Sequence, residues 1–251
     1  LSLESFKALV DAVGETPWYL EINAYIEDHQ LSALNDLLKA FHVFSPKGIY
    51  FNDFAVYQLL KEMDYHGEII YAPETILTNS NDVEFYLNYV DRCVLARELT
   101  LDEILYISSK FPNRVEVFGL GYATMSVSKR PLVQNYMDEI KRDDEVLNRL
   151  DFKIQEEKRP EWMPILEEIN ATSTYMPSIT FSKDQINDFK EANCASLLCD
   201  SLFINDEDFI ELYKHMMNLK TKLSLEDLSI RNPLGEGYYY RKTNLLKGET
   251  A

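Results

Sequence analysis

VEVFGLGYATMSVSKRPLVQNYM, residues Val115–Met137, is the segment from which this chain is best read. It opens on a short apolar run, Val115 to Phe118, whose composition predicts a buried strand. Gly119 and Gly121 come next, then a predicted polar turn carrying Ser126, Ser128, Lys129 and Arg130, then Pro131. In α/β proteins the ends of strands are where ligands collect, so a strand running into glycines and a Ser/Lys/Arg cluster marks a candidate site. The glycines permit unusual backbone angles or close approach, and are not a phosphate loop by themselves.

Outward from that strand, helical and strand-like patterns alternate through the first half. The spacing predicts helices over Ser2–Val13, with Ser2 as cap and Gly14 as stop, and over His29–Phe41, Phe54–Met63, Asp82–Tyr89 and Leu101–Lys110. Between them, Trp18–Ala24, Ile49–Phe51, Glu68–Tyr71 and Cys93–Ala96 read as strands. Short strands alternating with helices of about ten residues argue for parallel βα units. Right-handed crossovers then leave an open doubly wound sheet or a closed barrel. The chain has no GxGxxG after its opening strand and no GxxxxGK[ST], so the nucleotide-binding versions lose their main support. The expected fold is therefore α/β, with the closed barrel the better-supported answer and the open doubly wound sheet its alternative.

The expectation for organisation is a single domain, with regular βα units over residues 1–136 and an irregular part over 137–251. That second part holds a strand candidate at Phe152–Gln155, a hairpin around Asn170 within Trp162–Phe181, a helix at Lys183–Ala192 and a buried strand over Ser196–Ile204. Asp206–Leu219 reads as an amphipathic helix with Phe209, Ile210, Tyr213, Met216 and Met217 on its core side.

A chain of 251 residues that is 46% hydrophobic and 12% aromatic can bury a sizeable core without a disulfide or metal. Its apolar runs fall far short of the ~20 residues that cross a bilayer. The opening residues lack the basic start and apolar block of a secretory signal, although the sequence begins at Leu1. Three cysteines, Cys93, Cys194 and Cys199, with no CxxC pair, fit a reducing, cytoplasmic setting. A formal net charge of −17 repels phosphate backbones overall. Contact with nucleic acid would need a partner or a local patch: Lys129 with Arg130, Lys158 with Arg159, Lys220 with Lys222, or Arg241 with Lys242.

The four histidines, His29, His42, His66 and His215, are scattered, and neither HExxH nor GxSxG occurs. The candidates that remain stand at strand ends: Asn23, Asn52 with Asp53, and Arg97 with Glu98. Singly, Asn52 and Asp53 read equally as helix caps and Arg97–Glu98 as a salt bridge. Jointly they could ring one mouth. Ser128, Lys129 and Arg130 supply a hydroxyl and two cations suited to a carboxylate or phosphate, or else form an exposed basic loop.

With those residues laid out, the chain resembles the collagenase-like peptidases, peptidase family U-32, and most of all the shorter of the paired bacterial members. The resemblance rests on CVLARELTLDEI (Cys93 to Ile104), VEVFGLGY followed by SKRPLVQNYM, and NPLGEGYYYRKT (Asn232 to Thr243). INAYI, FNDFAVYQLL and LLCDSLFI add weaker support. It implies a TIM-type barrel with an added β-rich segment, here starting near the helix before the family's second strand, so the barrel is expected to be incomplete at its N-terminal end. Longer members carry cysteines in the glycine-led motif, some of them ligands of an iron–sulfur cluster. Thr124 and Pro131 stand at the matching positions, so no cofactor is expected on this chain. By the same resemblance, either Glu236 replaces an arginine common in the family's tail or the segment is shortened there.

The resemblance implies two activities. One is proteolysis, the inherited label. The other, which the missing thiolates favour, is work with a longer cysteine-bearing paralogue in tRNA wobble-uridine hydroxylation, a prephenate-linked modification. A degenerate interaction subunit is a third expectation. In the favoured reading Asn23, Asp53, Arg97, Glu98, Ser128, Lys129 and Arg130 bind substrate or shape its pocket, with tRNA reached through the partner and no membrane involved.

Overall fold

The computed structural model describes residues 3–158 and 160–241. Ser2, Arg159 and Lys242, named above as a cap and as members of basic pairs, lie outside the described residues, as does Thr243. The chain is α/β, and it divides into two compact units, residues 1–73 with 81–94, and residues 74–80 with 95–251.

The first unit is built as the alternation requires. Helix α1 (Leu3–Val13) ends at Gly14, whose φ of +61° is the left-handed conformation that closes helices. Strand β1 (Tyr19–Ile22) leads through a short 3-10 turn to α2 (Leu31–His42), then β2 (Gly48–Phe51), α3 (Phe54–Glu62), β3 (Glu68–Tyr71), α4 (Ser80–Tyr86, all but its first residue in this unit) and β4 (Arg92–Val94). The strands pair in sequence order and in parallel, Leu20 with Ile49, Ile49 with Ile69, and Ile70 with Arg92. Leu38, Ile49, Phe51, Val56, Leu60, Ile70 and Cys93 are almost fully buried among them. At the starts of the strands, Glu68 receives hydrogen bonds from Tyr19 Oη (3.0 Å) and Arg92 Nη2 (2.5 Å), with Lys47 Nζ 3.3 Å away. Burial alone would raise the Glu68 carboxyl; the Tyr19 and Lys47 hydrogen bonds and the Arg92 charge outweigh it and hold it below its ordinary value.

The second unit is organised by one long strand. After α5 (Leu101–Lys110), whose Thr100 and Glu103 form a reciprocal capping box, comes β5 (Val115–Ser128). Helix α6 (Leu132–Glu139) is next, then β6 (Lys153–Gln155), β7 (Trp162–Glu167), β8 (Thr172–Phe181), α7 (Ile186–Glu191), β9 (Ser196–Cys199), α8 (Asp206–Met216), α9 (Leu225–Arg231) and β10 (Leu234–Gly235). The first half of β5 pairs in parallel with β9, and its second half pairs antiparallel with β8, which continues antiparallel through β7 to β6. The hairpin read around Asn170 is therefore β7–β8.

Three local readings need correction. The strand does not stop at Phe118: it runs through both glycines, and of the residues read as a polar turn Ser126 and Ser128 are strand, while Lys129 and Arg130 form the bend that follows it. Gly121, at φ +132°, lies where β5 changes partner, and a Cβ there would sit 2.6 Å from the Asp200 carbonyl oxygen. The glycine thus serves close strand approach and not a turn. The strand read over Ser196–Ile204 ends at Cys199, because the Asp200 carboxylate accepts from Leu202 N (2.9 Å) and Phe203 takes φ +66°. Finally, the buried side of α8 carries Asp208, Glu211, Leu212 and Met216, whereas Ile210, Tyr213 and Met217 are substantially exposed. Two carboxylates face inward because partners await them. Asp208 accepts from Arg231 Nη2 (2.6 Å) and Asn232 Nδ2 (2.8 Å), and Glu211 accepts from Lys214 Nζ and the backbone N–H groups of Lys222 and Leu223. Apolarity alone could not reveal that pairing.

Candidate functional site: a buried arginine beside a strand bulge

Strand β5 is irregular at one place. Its ladder with β8 shifts register on both sides of the Thr124–Tyr175 pair, between Tyr122 and Thr124 and again between Thr124 and Ser126. Such bulges re-aim side chains and favour sites. Thr124 Oγ1 accepts a 2.8 Å hydrogen bond from Arg97 Nη1. The Arg97 guanidinium lies 4.4 Å from the centre of the Phe118 ring, and its Nη2 reaches Glu74 Oε1 at 3.2 Å. Only 12% of the Arg97 side chain is exposed, so the charge is held by a ring, a hydroxyl and one carboxylate. The sequence suggests Glu98 as its ion-pair partner; in the fold Arg97 pairs with Glu74.

Glu74 itself sits at φ +64°, an unusual backbone for a glutamate, and its carbonyl accepts from Arg97 N at 3.3 Å. A cavity of about 60 Å³ adjoins the pair, lined by Glu74, Thr75, Arg97, Glu98, Thr124 and Tyr238, among others. At ~10–15 Å³ of such space for a single water, this cavity has room for a group the size of a carboxylate. Tyr175, opposite Thr124 in the ladder, is buried; burial, then the charges of Glu74, Glu168 and Asp200, push its phenol up to about 12 despite a hydrogen bond from Ser173. At neutral pH it is a hydrogen-bond donor and not a base.

The remaining candidates are carried by other elements. Asn23 and Asp53 belong to the first unit. There Asn23 contributes its backbone carbonyl to Asn52 Nδ2 (2.7 Å), and both Asp53 oxygens are engaged, Oδ1 by Ala55 N at the start of α3 and Oδ2 by Ile26 N. Asp53 is thus a helix cap that also ties down the β1 loop.

Ser128, Lys129 and Arg130 sit at the far end of β5, about 13 Å along the strand from Thr124 at 3.3 Å per residue. Ser128 Oγ accepts from Arg130 N (3.2 Å). The SKRPLVQNY motif has a physical explanation in the helix start just beyond. Pro131 stands at the helix boundary, and Glu167, 3% exposed, accepts from Val133 N (2.7 Å), Gln134 N (3.3 Å) and Thr172 Oγ1 (3.0 Å). A buried carboxylate on β7 therefore satisfies the first free N–H groups of α6. Thr172 Oγ1 also lies 2.8 Å from the Arg130 carbonyl, so its one proton is shared between that oxygen and Glu167, while the hydroxyl accepts from Leu132 N (3.1 Å). Lys129 and Arg130 are exposed on this turn.

For an iron–sulfur cluster the donor set does not fit: Thr124 Oγ1 is engaged by Arg97, and Pro131 offers no side-chain donor atom. Cys93 is fully buried in the first unit. In the second, burial pushes the Cys194 thiol up and that of Cys199 up to about 11, so both are protonated at neutral pH. Among the described residues no cluster of three His, Cys, Asp or Glu side chains could hold a metal ion, and no helix is long and apolar enough to cross a membrane.

The family model and the curated relative agree with the motif resemblance. The chain is 24% identical over 200 residues to the tRNA hydroxylation protein P2 of Bacillus subtilis (strain 168), an alignment covering 78% of this chain and 65% of that protein. The match thus spans just under two thirds of that relative's length. Among solved structures, the spore cortex-lytic enzyme SleL of Bacillus megaterium QM B1551 aligns at 11% identity and a TM-score of 0.44, over 86% of this chain and 63% of that one. The C-terminal domain of a chitinase-like protein from Desulfitobacterium hafniense DCB-2 aligns at 10% identity and a TM-score of 0.39, over 85% and 82% respectively. The sequence model described as peptidase family U32 matches residues 1–233, and the chain belongs to that family.

Proposed function

We propose that this chain is a subunit of a cytoplasmic tRNA-modifying assembly that hydroxylates wobble uridine, acting with a longer, cysteine-bearing member of its family. The observation carrying this reading is the likeness to tRNA hydroxylation protein P2 over 78% of the chain. The donor chemistry supports it. Thr124 and Pro131 replace the thiolates a cluster would need, so the redox chemistry falls to the partner and this chain positions substrate. Arg97 and Thr124 hold a small anionic group, Tyr175 keeps a hydrogen-bond donor on the same strand pair, and Glu98 shapes the cleft wall. With a net charge of −17, tRNA is engaged through the partner, aided locally by Ser128, Lys129 and Arg130, while Asn23 and Asp53 order the loops of the first unit. The parallel strands belong, in this reading, to a TIM-type (β/α) barrel with an added β-rich segment.

Mass spectrometry of tRNA from a deletion strain tests the function. Loss of hydroxyuridine, restored by the gene, is expected; unchanged hydroxyuridine removes the proposal. The family's peptidase name supplies a second reading, tested by incubating the chain, alone and with its longer paralogue, with gelatin and casein. No cleavage in either case ends that alternative.

A further inference from the structure

We propose that Arg97 and Thr124 form a subsite for a small carboxylate, and that Glu74 is the carboxylate resident there until a ligand replaces it. The inference rests on the site assigned in the hydroxylation reading and gives that site its ligand chemistry. Three observations carry it. The resident pair is imperfect: a guanidinium prefers two parallel contacts at about 2.7–2.9 Å, whereas Glu74 makes a single 3.2 Å contact. A ligand carboxylate able to form both contacts would hold Arg97 better.

Glu74, moreover, is carried on a segment without helix or strand, at a left-handed φ of +64°. With no regular element around it, the Glu74 carboxylate can leave Arg97 by side-chain rotation alone, its backbone staying tied through the carbonyl that accepts from Arg97 N. The space is also of the right size. The cavity beside the pair, about 60 Å³, admits one carboxylate together with a methylene or two against Ala123 and Met125.

Charge selects the class. Exchanging the Glu74 carboxylate for a ligand's leaves the balance around Arg97 unchanged. A doubly charged phosphate would add an uncompensated charge to a cleft that Glu98 also lines. Thr124 supplies the discrimination in geometry: its Oγ1 accepts from Nη1 and fixes the guanidinium plane, so the fork faces the cavity without a search.

The test uses the full chain, labelled with ¹⁵N, and follows the arginine Nε–Hε resonances while acetate is added at constant ionic strength. Inorganic phosphate forms a second arm. Glu74→Gln removes the resident charge and should tighten acetate binding at least tenfold, a difference of ~1.4 kcal/mol. Thr124→Val should weaken it several-fold in either background, and Arg97→Gln should abolish it. If Arg97→Gln does not fold, the other two variants still decide. Equal acetate affinity in wild type and Glu74→Gln overturns the proposal, as does phosphate binding as tight as acetate, or binding indifferent to Thr124→Val. Because the readout is binding to the chain alone, these failures leave the tRNA reading standing. Unchanged hydroxyuridine in the deletion strain would remove that reading and leave the subsite intact.

Discussion

Replacing Glu167 by Gln should destabilise the second unit by about 2–4 kcal/mol, although the substitution changes no heavy-atom shape. The figure comes from what the carboxylate holds. Its short contact to Val133 N is a charge-assisted bond, a class worth about 1.5–3 kcal/mol net. The longer contacts to Gln134 N and the bond from Thr172 Oγ1 add less each, and the negative charge at the start of α6 contributes ~0.3–1 kcal/mol more. A glutamine can keep its carbonyl oxygen where Oε2 takes the short contacts, but it then turns an amide NH₂ toward Gln134 N, 3.4 Å from Oε1, and loses the charge at a site 3% exposed. Those terms share one side chain and do not add fully, hence the range. Urea unfolding followed by circular dichroism gives the free energy, and hydrogen exchange at Val133 and Gln134 localises it. Those two amides should lose protection first, before any in α5. A glutamine variant within 0.5 kcal/mol of wild type, or one whose α6 amides stay protected, would refute the claim that SKRPLVQNY is the capped start of a helix.

Other contacts lead to further expected outcomes. Gly121→Ala must place a Cβ 2.6 Å from the Asp200 carbonyl at φ +132°, and should cost on the order of 3 kcal/mol, read from thermal or urea unfolding; Gly14→Ala, with open space around it, should cost about 1. The Glu211 carboxyl is held down at about 2 by the hydrogen bond from Lys214 and by the backbone N–H of Lys222, against burial. A depressed carboxyl contributes stability that is fully present above its unfolded value of about 4.3 and is lost as pH falls towards 2. Acid unfolding of Glu211→Gln should therefore be flatter than wild type between pH 4.5 and 2, and an identical profile would contradict the pairing. Arg92→Ala leaves Glu68 half-paired among partly buried neighbours and should cost about 1–2 kcal/mol in urea unfolding, with Arg92→Lys recovering only part.

The alternation of the first half was legible because parallel strands buried on both faces are short apolar runs and the helices between them are amphipathic; Leu101–Lys110 is read to the residue. Strand β5 was only half legible. Glycine ordinarily punctuates a strand, and nothing in VEVFGLGYATMSVS announces that β9 and β8 would approach on either side of it. Arg97 could be placed at a strand end from its neighbours. Its partners could not: Glu74 lies 23 residues away on irregular chain, and Tyr175 faces Thr124 only through the β5–β8 register. Thr124 entered the sequence reading as a missing thiolate, whereas in the fold its hydroxyl orients Arg97. Ser128, Lys129 and Arg130 were conspicuous for their charge, while the residue that organises their turn, Glu167, was invisible because it comes from β7.

The hydroxyuridine content of tRNA, measured by mass spectrometry in a deletion strain complemented with wild type or with Arg97→Lys, tests the proposed role most directly. Wild type should restore the modified wobble base, and Arg97→Lys, which keeps the charge but loses the planar fork, should not. Full hydroxyuridine with no complementing gene, or full restoration by Arg97→Lys, would contradict that role.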